Sequence, residues 1–131
     1  MKIATYLHIK GDCNKAFERY KKLFKGQEIC KYTYNEHMTK DENMYGKVFH
    51  AELKIDNYFI YMSDSNESYE YINQPYKIVV EFDCLQETER VFNELKINGI
   101  VNSEITKMPF GPHIGNVTDE FGTTWDLVFC K

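Results

Sequence analysis

The feature that most constrains the fold is a local repeat between the two halves of the chain. Each half contains a strand-like segment, a break, an amphipathic helix and a glycine, in the same order and at a nearly constant offset. The pairs that define this offset are Asp12 with Asp83, Tyr20 with Phe92, Leu23 with Leu95, and Gly26 with Gly99. The repeat predicts a duplicated βαβββ module, because such a unit buries its apolar faces only by packing with further elements.

Hydrophobic periodicity predicts the same order of elements in both halves. Alternation of apolar and polar residues indicates strands, and apolar residues spaced by three and four indicate helices. In the first half the predicted strands are 4–10, 27–35, 47–55 and 58–63, with a helix between Gly11 and Gly26 that Asp12 or Asn14 caps. In the second half they are 76–82, 100–106, 114–118 and 123–129, with a helix over 87–96. The polar segment 64–75 is the predicted linker, which gives one domain, 1–131, with internal modules of about 1–64 and 75–131.

Two strands allow their faces to be assigned from alternation. In the third strand, Phe49, Ala51, Leu53 and Ile55 are expected on one face and Val48, His50, Glu52 and Lys54 on the other. In the last strand, which follows a turn at 119–122, Trp125 is expected in the core and Asp126 on the opposite face.

Composition excludes several classes of protein. The chain has 131 residues and a formal net charge of −4, which argues against electrostatic binding to nucleic acid. No apolar run reaches the roughly 20 residues of a membrane span. The N-terminus lacks a signal-peptide pattern, so a cytoplasmic location is expected. The four cysteines have no CxxC spacing, which favours reduced thiols over a disulfide framework or a zinc site.

The ordered motifs resemble the vicinal-oxygen-chelate superfamily, which includes glyoxalase I, bleomycin-resistance proteins and extradiol dioxygenases, and more narrowly its PhnB-like (3-demethylubiquinone methyltransferase-like) subgroup. The matching segments are 6–26, 50–64, 87–95, Pro109-Phe-Gly111, and Gly115 to Trp125. The resemblance implies an α+β fold in which two βαβββ modules form a curved mixed sheet around a cavity, and it implies a homodimer. It does not imply one activity, since the superfamily includes lyases, isomerases, dioxygenases, thiol transferases and drug-binding proteins.

Many enzymes of the superfamily bind a divalent metal ion through about four ligands on the cavity faces of the strands. By the resemblance, the corresponding positions here are Thr5 or Tyr6, then Tyr61, then Tyr76 or Lys77, and finally Asp126. Of these, only Asp126 is a good metal ligand, so the usual ligand set is expected to be largely missing.

A different polar set remains open. His8, His50 and Glu52 lie on the polar faces of their strands, and with Asp126 they would provide two imidazoles and two carboxylates if these faces converge. His50 is also a candidate general base, because the Glu52 carboxylate two residues further along the same strand face can orient its imidazole. The alternative interpretation is that these are hydrogen-bonded polar residues in a wet cavity.

Two functions follow from these observations. The first is a metal-free protein that binds a small molecule with the side chains of Tyr6, His8, Tyr61, Tyr76, Lys77 and Phe110. The second is a metal-dependent lyase or isomerase that uses His50 and Glu52, with Asp126 as a metal ligand beside His8 and His50. The methyltransferase label of the subgroup finds no support in the sequence, because no glycine-rich cofactor loop follows the first strand.

Overall fold

The computed structural model describes residues 1–65 and 76–130. The chain divides into two compact units, residues 1–69 and 70–131, which we call the first and second modules. The first module contains β1 (Thr5–Lys10), α1 (Cys13–Leu23), β2 (Gln27–Thr33), a short 3-10 helix (Glu42–Met44), β3 (Val48–Ile55) and β4 (Tyr58–Ser65). The second contains β5 (Ile78–Phe82), α2 (Leu85–Leu95), β6 (Ile100–Lys107), β7 (His113–Thr118) and β8 (Thr124–Phe129).

The two modules have the same topology, which confirms the duplication. The strand order is β1-β4-β3-β2 in the first sheet and β5-β8-β7-β6 in the second. In each sheet the first and last strands of the module pair in parallel, and the remaining pairs are antiparallel. The two helices have the same length, so their first residues, Cys13 and Leu85, are separated along the chain by the same offset as their last, Leu23 and Leu95. The predicted α+β architecture of two βαβββ modules is therefore confirmed.

The sequence contains a capping residue at the start of α1 but not at the start of α2. The Asp12 side chain accepts a hydrogen bond from the backbone N–H of Lys15 at 3.0 Å, so the predicted cap of α1 is confirmed. The second helix starts at Leu85, slightly earlier than predicted. Its N-cap residue, Cys84, makes no side-chain capping bond, so the usual Ser, Thr, Asp or Asn signal is missing there.

Each sheet buries the face that its helix covers. In the first module, Leu7, Ile9, Ala51, Leu53 and Met62 are buried on the side of α1, against Phe17 and Tyr20. In the second module, Trp125, Leu127 and Val117 are buried with Val91, Phe92 and Leu95 of α2. Burial of each large apolar side chain contributes about 1.5 to 3 kcal/mol. Trp125 is therefore a core residue, as predicted.

The predicted faces of β3 are wrong for the first two residues of the strand. Val48 is buried and Phe49 is 45% exposed, the reverse of the alternation that was expected. The cause is a shift in the register between β2 and β3, where Tyr32 pairs with His50 but Thr33 pairs with Val48. Such a bulge changes which face the following residue occupies. From His50 onward, the predicted alternation is correct, with Ala51 and Leu53 buried.

The predicted linker begins too early. Asp64 and Ser65 are the last residues of β4, and 66–75 lie outside the described residues. The buried carboxylate of Asp64 accepts the backbone N–H of Cys13 at 2.9 Å and that of Val48 at 2.7 Å. These bonds connect the end of β4 to the starts of α1 and β3. Within the described residues, no helix is long and apolar enough to cross a membrane.

Candidate functional site

The candidate site in the first module is the face of its sheet that points away from α1. Alternation places Tyr6 and His8 of β1, His50 and Glu52 of β3, and Tyr61 of β4 on this face, because their neighbours in sequence are the buried core residues. In the register of the sheet Tyr6 pairs with Tyr61, and Tyr61 pairs in turn with Glu52. We call this surface the polar face; it consists of Tyr6, His8, Cys30, His50, Glu52 and Tyr61.

The rings of the polar face contact one another. The ring centroid of Tyr6 lies 4.9 Å from that of His8, 5.6 Å from that of His50 and 6.1 Å from that of Tyr61. His50 and Tyr61 are 5.4 Å apart in an edge-on arrangement. The structure therefore brings the four ring-bearing residues of this predicted set into contact on one side of one sheet.

A chain of hydrogen bonds runs across the same rings. The Tyr6 hydroxyl lies 3.0 Å from His50 Nδ1, and His50 Nε2 lies 2.8 Å from Glu52 Oε2. Because the carboxylate is an acceptor, Nε2 carries the imidazole proton and Nδ1 accepts from the Tyr6 hydroxyl. The arrangement of hydroxyl, imidazole and carboxylate can accept a proton from a bound molecule and pass it along the chain. His8 is held separately, with its Nδ1 3.3 Å from the Ser63 hydroxyl oxygen.

Cys30 is a member of the polar face that the sequence did not indicate. It pairs with Glu52 across the β2–β3 ladder, and its Sγ lies within 4.8 Å of ligand atoms of both His50 and Glu52. Burial, and then the neighbouring Glu52 carboxylate, raise the pKa of the Cys30 thiol. No spacing along the chain could have revealed this contact, because Cys30 and His50 lie on different strands and the register of β2 is irregular.

Asp126 lies on the second sheet with partners of its own. Its Oδ2 is 2.6 Å from Lys77 Nζ, and its Oδ1 accepts a hydrogen bond from the Asn116 side chain. The side-chain oxygen of Asn116 in turn accepts from Asn102 at 2.7 Å. Asp126 is nearly buried, so the ammonium of Lys77 neutralises a carboxylate that is costly to leave unpaired. The metal set that combines Asp126 with His8 and His50 stays a prediction.

Tyr76, Lys77 and Phe110 were predicted to contact a ligand. The structure corrects the predicted strand boundary, since β5 begins at Ile78 and both Tyr76 and Lys77 precede it. Phe110 lies in the turn between β6 and β7 and is 77% exposed, and Tyr76 is 57% exposed. Their contribution to binding stays a prediction.

A cavity in the first module does not coincide with these residues. It has a volume of about 480 Å³ and is lined by Tyr34, Asn35, Glu36, His37 and Tyr45, which follow β2. The hydrogen-bonded imidazole and carboxylate of the polar face provide more specific chemistry than this loop-lined depression, so we place the candidate site on the polar face.

Two βαβββ modules, each with a mixed four-stranded sheet, define the glyoxalase/bleomycin resistance fold. The chain belongs to the 3-demethylubiquinone-9 3-methyltransferase family, whose model matches residues 1–128. The resemblance to the PhnB-like subgroup is thereby confirmed.

Individual relatives agree with this assignment. Protein YjdN of Escherichia coli is 24% identical over 143 residues, covering 100% of this chain and 97% of YjdN. The solved structure of the PhnB protein from Bacillus cereus has a TM-score of 0.84 and 25% identity, covering 98% of this chain and 99% of that one. The fosfomycin resistance protein FosX from Listeria monocytogenes shares the fold, with a TM-score of 0.70 and 13% identity over 100% of this chain and 93% of its own.

Proposed function

We propose that this chain is a small-molecule-binding protein of the glyoxalase/bleomycin-resistance class, and that its ligand contacts the polar face of the first sheet. The observation that carries the proposal is the continuous contact among the rings of Tyr6, His8, His50 and Tyr61. Binding sites for small molecules combine aromatic surface with a few convergent polar groups, and this face has both.

The chemistry of the polar face favours a flat ligand. Aromatic side chains stack well on planar rings, and the Tyr6 hydroxyl and His50 imidazole can orient a polar substituent. The Lys2 ammonium lies 3.7 Å from the ring centroid of Phe59 and 5.3 Å from that of Tyr61, which places a positive charge beside the face. An aromatic ligand with a phenolic or carboxylate group fits these features. The predicted cavity between the modules stays a prediction.

The residues at the superfamily's metal positions do not fit a divalent cation. Tyr6 and Tyr61 are phenols, which are poor ligands for such ions. At the Asp126 position, the Lys77 ammonium already neutralises the carboxylate at 2.6 Å and would repel a second cation. These contacts support metal-free binding over metal-assisted catalysis at those positions.

Saturation-transfer NMR with phenol, benzoate and indole as probes tests the proposal. We expect saturation transfer to at least one probe in the wild type, and a loss of at least tenfold in affinity in the Tyr61→Ala and His50→Ala variants. Tyr58→Ala is the matched control, because Tyr58 lies on the same strand, is 77% exposed and has the opposite parity to Tyr61. No transfer to any probe, or equal binding in Tyr61→Ala and Tyr58→Ala, would contradict the proposal.

A second candidate function is that of a divalent-metal-dependent lyase or isomerase. The hydrogen-bonded chain of Tyr6, His50 and Glu52 supports it, because such a chain can move a proton. The methyl transfer in the family's name is not part of either proposal, since the residues after β1, Gly11-Asp-Cys13, form no glycine-rich cofactor loop.

We also propose a homodimer, which would cover exposed apolar residues of the sheet edges. Ile29 on β2 and Ile100 on β6 are 46% and 65% exposed, and both strands are edges of their sheets. Sedimentation velocity distinguishes a dimer from a monomer directly.

A further inference from the structure

Three side chains with different metal-binding groups meet on the polar face. A thiol from Cys30, an imidazole from His50 and a carboxylate from Glu52 have ligand atoms that all lie within 4.8 Å of one another. All three side chains are partly buried, and solvent still reaches them. A search of residues 1–65 and 76–130 for three or more His, Cys, Asp or Glu side chains close enough to bind one ion identifies these three.

The chemistry of this donor set selects a particular kind of ion. A thiolate and an imidazole favour borderline and soft transition metals over magnesium or calcium, and zinc also accepts a carboxylate. With Cys30 and Glu52 ionised and His50 neutral, the ligands carry two negative charges, which a divalent ion balances. We infer that Cys30, His50 and Glu52 form a zinc-binding site with three protein ligands and a fourth position open to water.

The backbone supports this geometry. Cys30 and Glu52 are directly paired residues of adjacent strands, and His50 and Glu52 are two residues apart on one strand, so all three project from the same side. In a tetrahedral site with bonds of about 2.0 to 2.3 Å, neighbouring ligand atoms lie about 3.3 to 3.8 Å apart. His50 Nε2 and Glu52 Oε2, which are 2.8 Å apart, would have to separate slightly, and Cys30 Sγ, which lies within 4.8 Å of both ligand atoms, would have to move closer. Side-chain rotations can produce both changes.

Tyr6 provides the outer partner that zinc-binding histidines usually have. Its hydroxyl lies 3.0 Å from His50 Nδ1, which leaves Nε2 directed towards Glu52 and the proposed ion. With Nε2 bound to the metal, Nδ1 carries the proton and donates it to the Tyr6 oxygen, which fixes the tautomer and the orientation of the ring. Tyr6 is therefore a positioning residue of the site.

This site differs from the metal positions that the resemblance implies. Cys30 and His50 lie on β2 and β3, whereas the implied positions of the first module are Thr5 or Tyr6 on β1 and Tyr61 on β4. The inference is also independent of small-molecule binding, because a metal titration contains no organic ligand. A chain that fails to bind phenol, benzoate or indole can still bind zinc, and the two results are separate.

Cobalt(II) titration of the full-length, metal-stripped protein under reducing conditions tests the inference. Cobalt occupies zinc sites and gives a near-ultraviolet charge-transfer band when a thiolate binds it. We expect this band to saturate at one equivalent and to disappear when zinc is added. The band should vanish in Cys30→Ser, and affinity should fall at least tenfold in His50→Gln and in Glu52→Gln. Tyr6→Phe should weaken binding about tenfold while the band remains.

Matched variants separate the site from adventitious binding. Cys84→Ser and His37→Gln change an exposed cysteine and an exposed histidine and should bind cobalt as the wild type does. A wild type without the band at excess cobalt, or a band that persists in Cys30→Ser, overturns the inference. If Cys30→Ser does not fold, Glu52→Gln decides the matter because it keeps the thiol: unchanged affinity in that variant also overturns the inference.

Discussion

The indole Nε1 of Trp125 donates a hydrogen bond to Asp119 Oδ2 at 2.9 Å, and both side chains are buried. The other oxygen, Oδ1, accepts the backbone N–H groups of Phe121 at 2.9 Å and Thr123 at 3.0 Å. One carboxylate thus closes the turn before β8 and ties it to the largest core residue. Gly122 completes the turn with a φ of +88°, a conformation in which a side chain would be strained.

We expect Asp119→Ala to lower the free energy of unfolding by about 2 to 4 kcal/mol, because three donors lose a charged acceptor. Urea unfolding followed by the fluorescence of Trp125, the one tryptophan of the chain, measures this loss. Asp83→Ala removes an exposed aspartate in the same module and should change stability by less than about 0.5 kcal/mol. Equal losses in the two variants would show that the turn is not stabilised by Asp119.

Alkaline pH should destabilise the first module through Cys13. Burial, and then the Asp64 carboxylate, raise the pKa of this thiol from 9.0 to about 12 in the folded state. The unfolded thiol ionises near pH 9, so the stability that this shift contributes is complete below pH 9 and is lost as pH rises towards 12.

Between these limits the free energy of unfolding of the wild type should decrease as the pH rises. The slope of this decrease should be steeper than in Cys13→Ala by up to about 1.4 kcal/mol per pH unit. Cys84→Ala, which changes an exposed thiol, should retain the wild-type slope. Parallel slopes in the wild type and Cys13→Ala would contradict the expectation.

The Lys77–Asp126 ion pair should make a modest, salt-dependent contribution. Lys77 is half exposed, so we expect Lys77→Met to lower the free energy of unfolding by only about 0.5 to 1 kcal/mol. The loss should shrink at ~1 M salt, where charges are screened over short distances. A double-mutant cycle with Asp126→Asn measures the coupling, and Lys107→Met is an exposed control. A coupling energy of zero would indicate that the two charges do not interact in solution.

Gly115 is required because there is no room for a side chain. A Cβ at this position would lie 2.6 Å from Ile105 Cγ1 and 2.9 Å from Phe92 Cε2. We expect Gly115→Ala to lower the free energy of unfolding by about 1 to 3 kcal/mol through overpacking. The same substitution should cost less in a Phe92→Leu background, which removes one of the two close contacts. Identical costs in both backgrounds, measured by urea unfolding, would mean that the helix contact does not set the penalty.

Much of the fold was predictable from the sequence because its signals are local. Alternation in β1, and in β3 from His50 onward, and the helical spacing in α1 and α2 reflect which side of each element is buried. The errors occurred where a long-range contact changed a local pattern or a local signal was missing. The register shift between β2 and β3 exchanged the faces of Val48 and Phe49, and the N-cap position of α2, Cys84, carries no capping side chain to mark the first residue of the helix.

In the candidate site, too, local patterns were predictable and long-range contacts were not. Alternation alone placed His50 and Glu52 on one face of β3. The Tyr6–Tyr61 pairing depends on the parallel pairing of β1 with β4, which no local pattern specifies. The position of Cys30 beside Glu52 depends on how β2 pairs with its neighbour, and the Lys77–Asp126 contact depends on how the chain enters β5.

By itself, the sequence determined the order of the elements and the duplication of the module, because periodicity and repeat spacing are properties of the linear chain. The family followed from the resemblance of the ordered motifs to known proteins. Only the tertiary structure decided which polar groups meet. Strand register brings together residues such as Cys30 and His50 that are far apart along the chain, and no local pattern encodes that pairing.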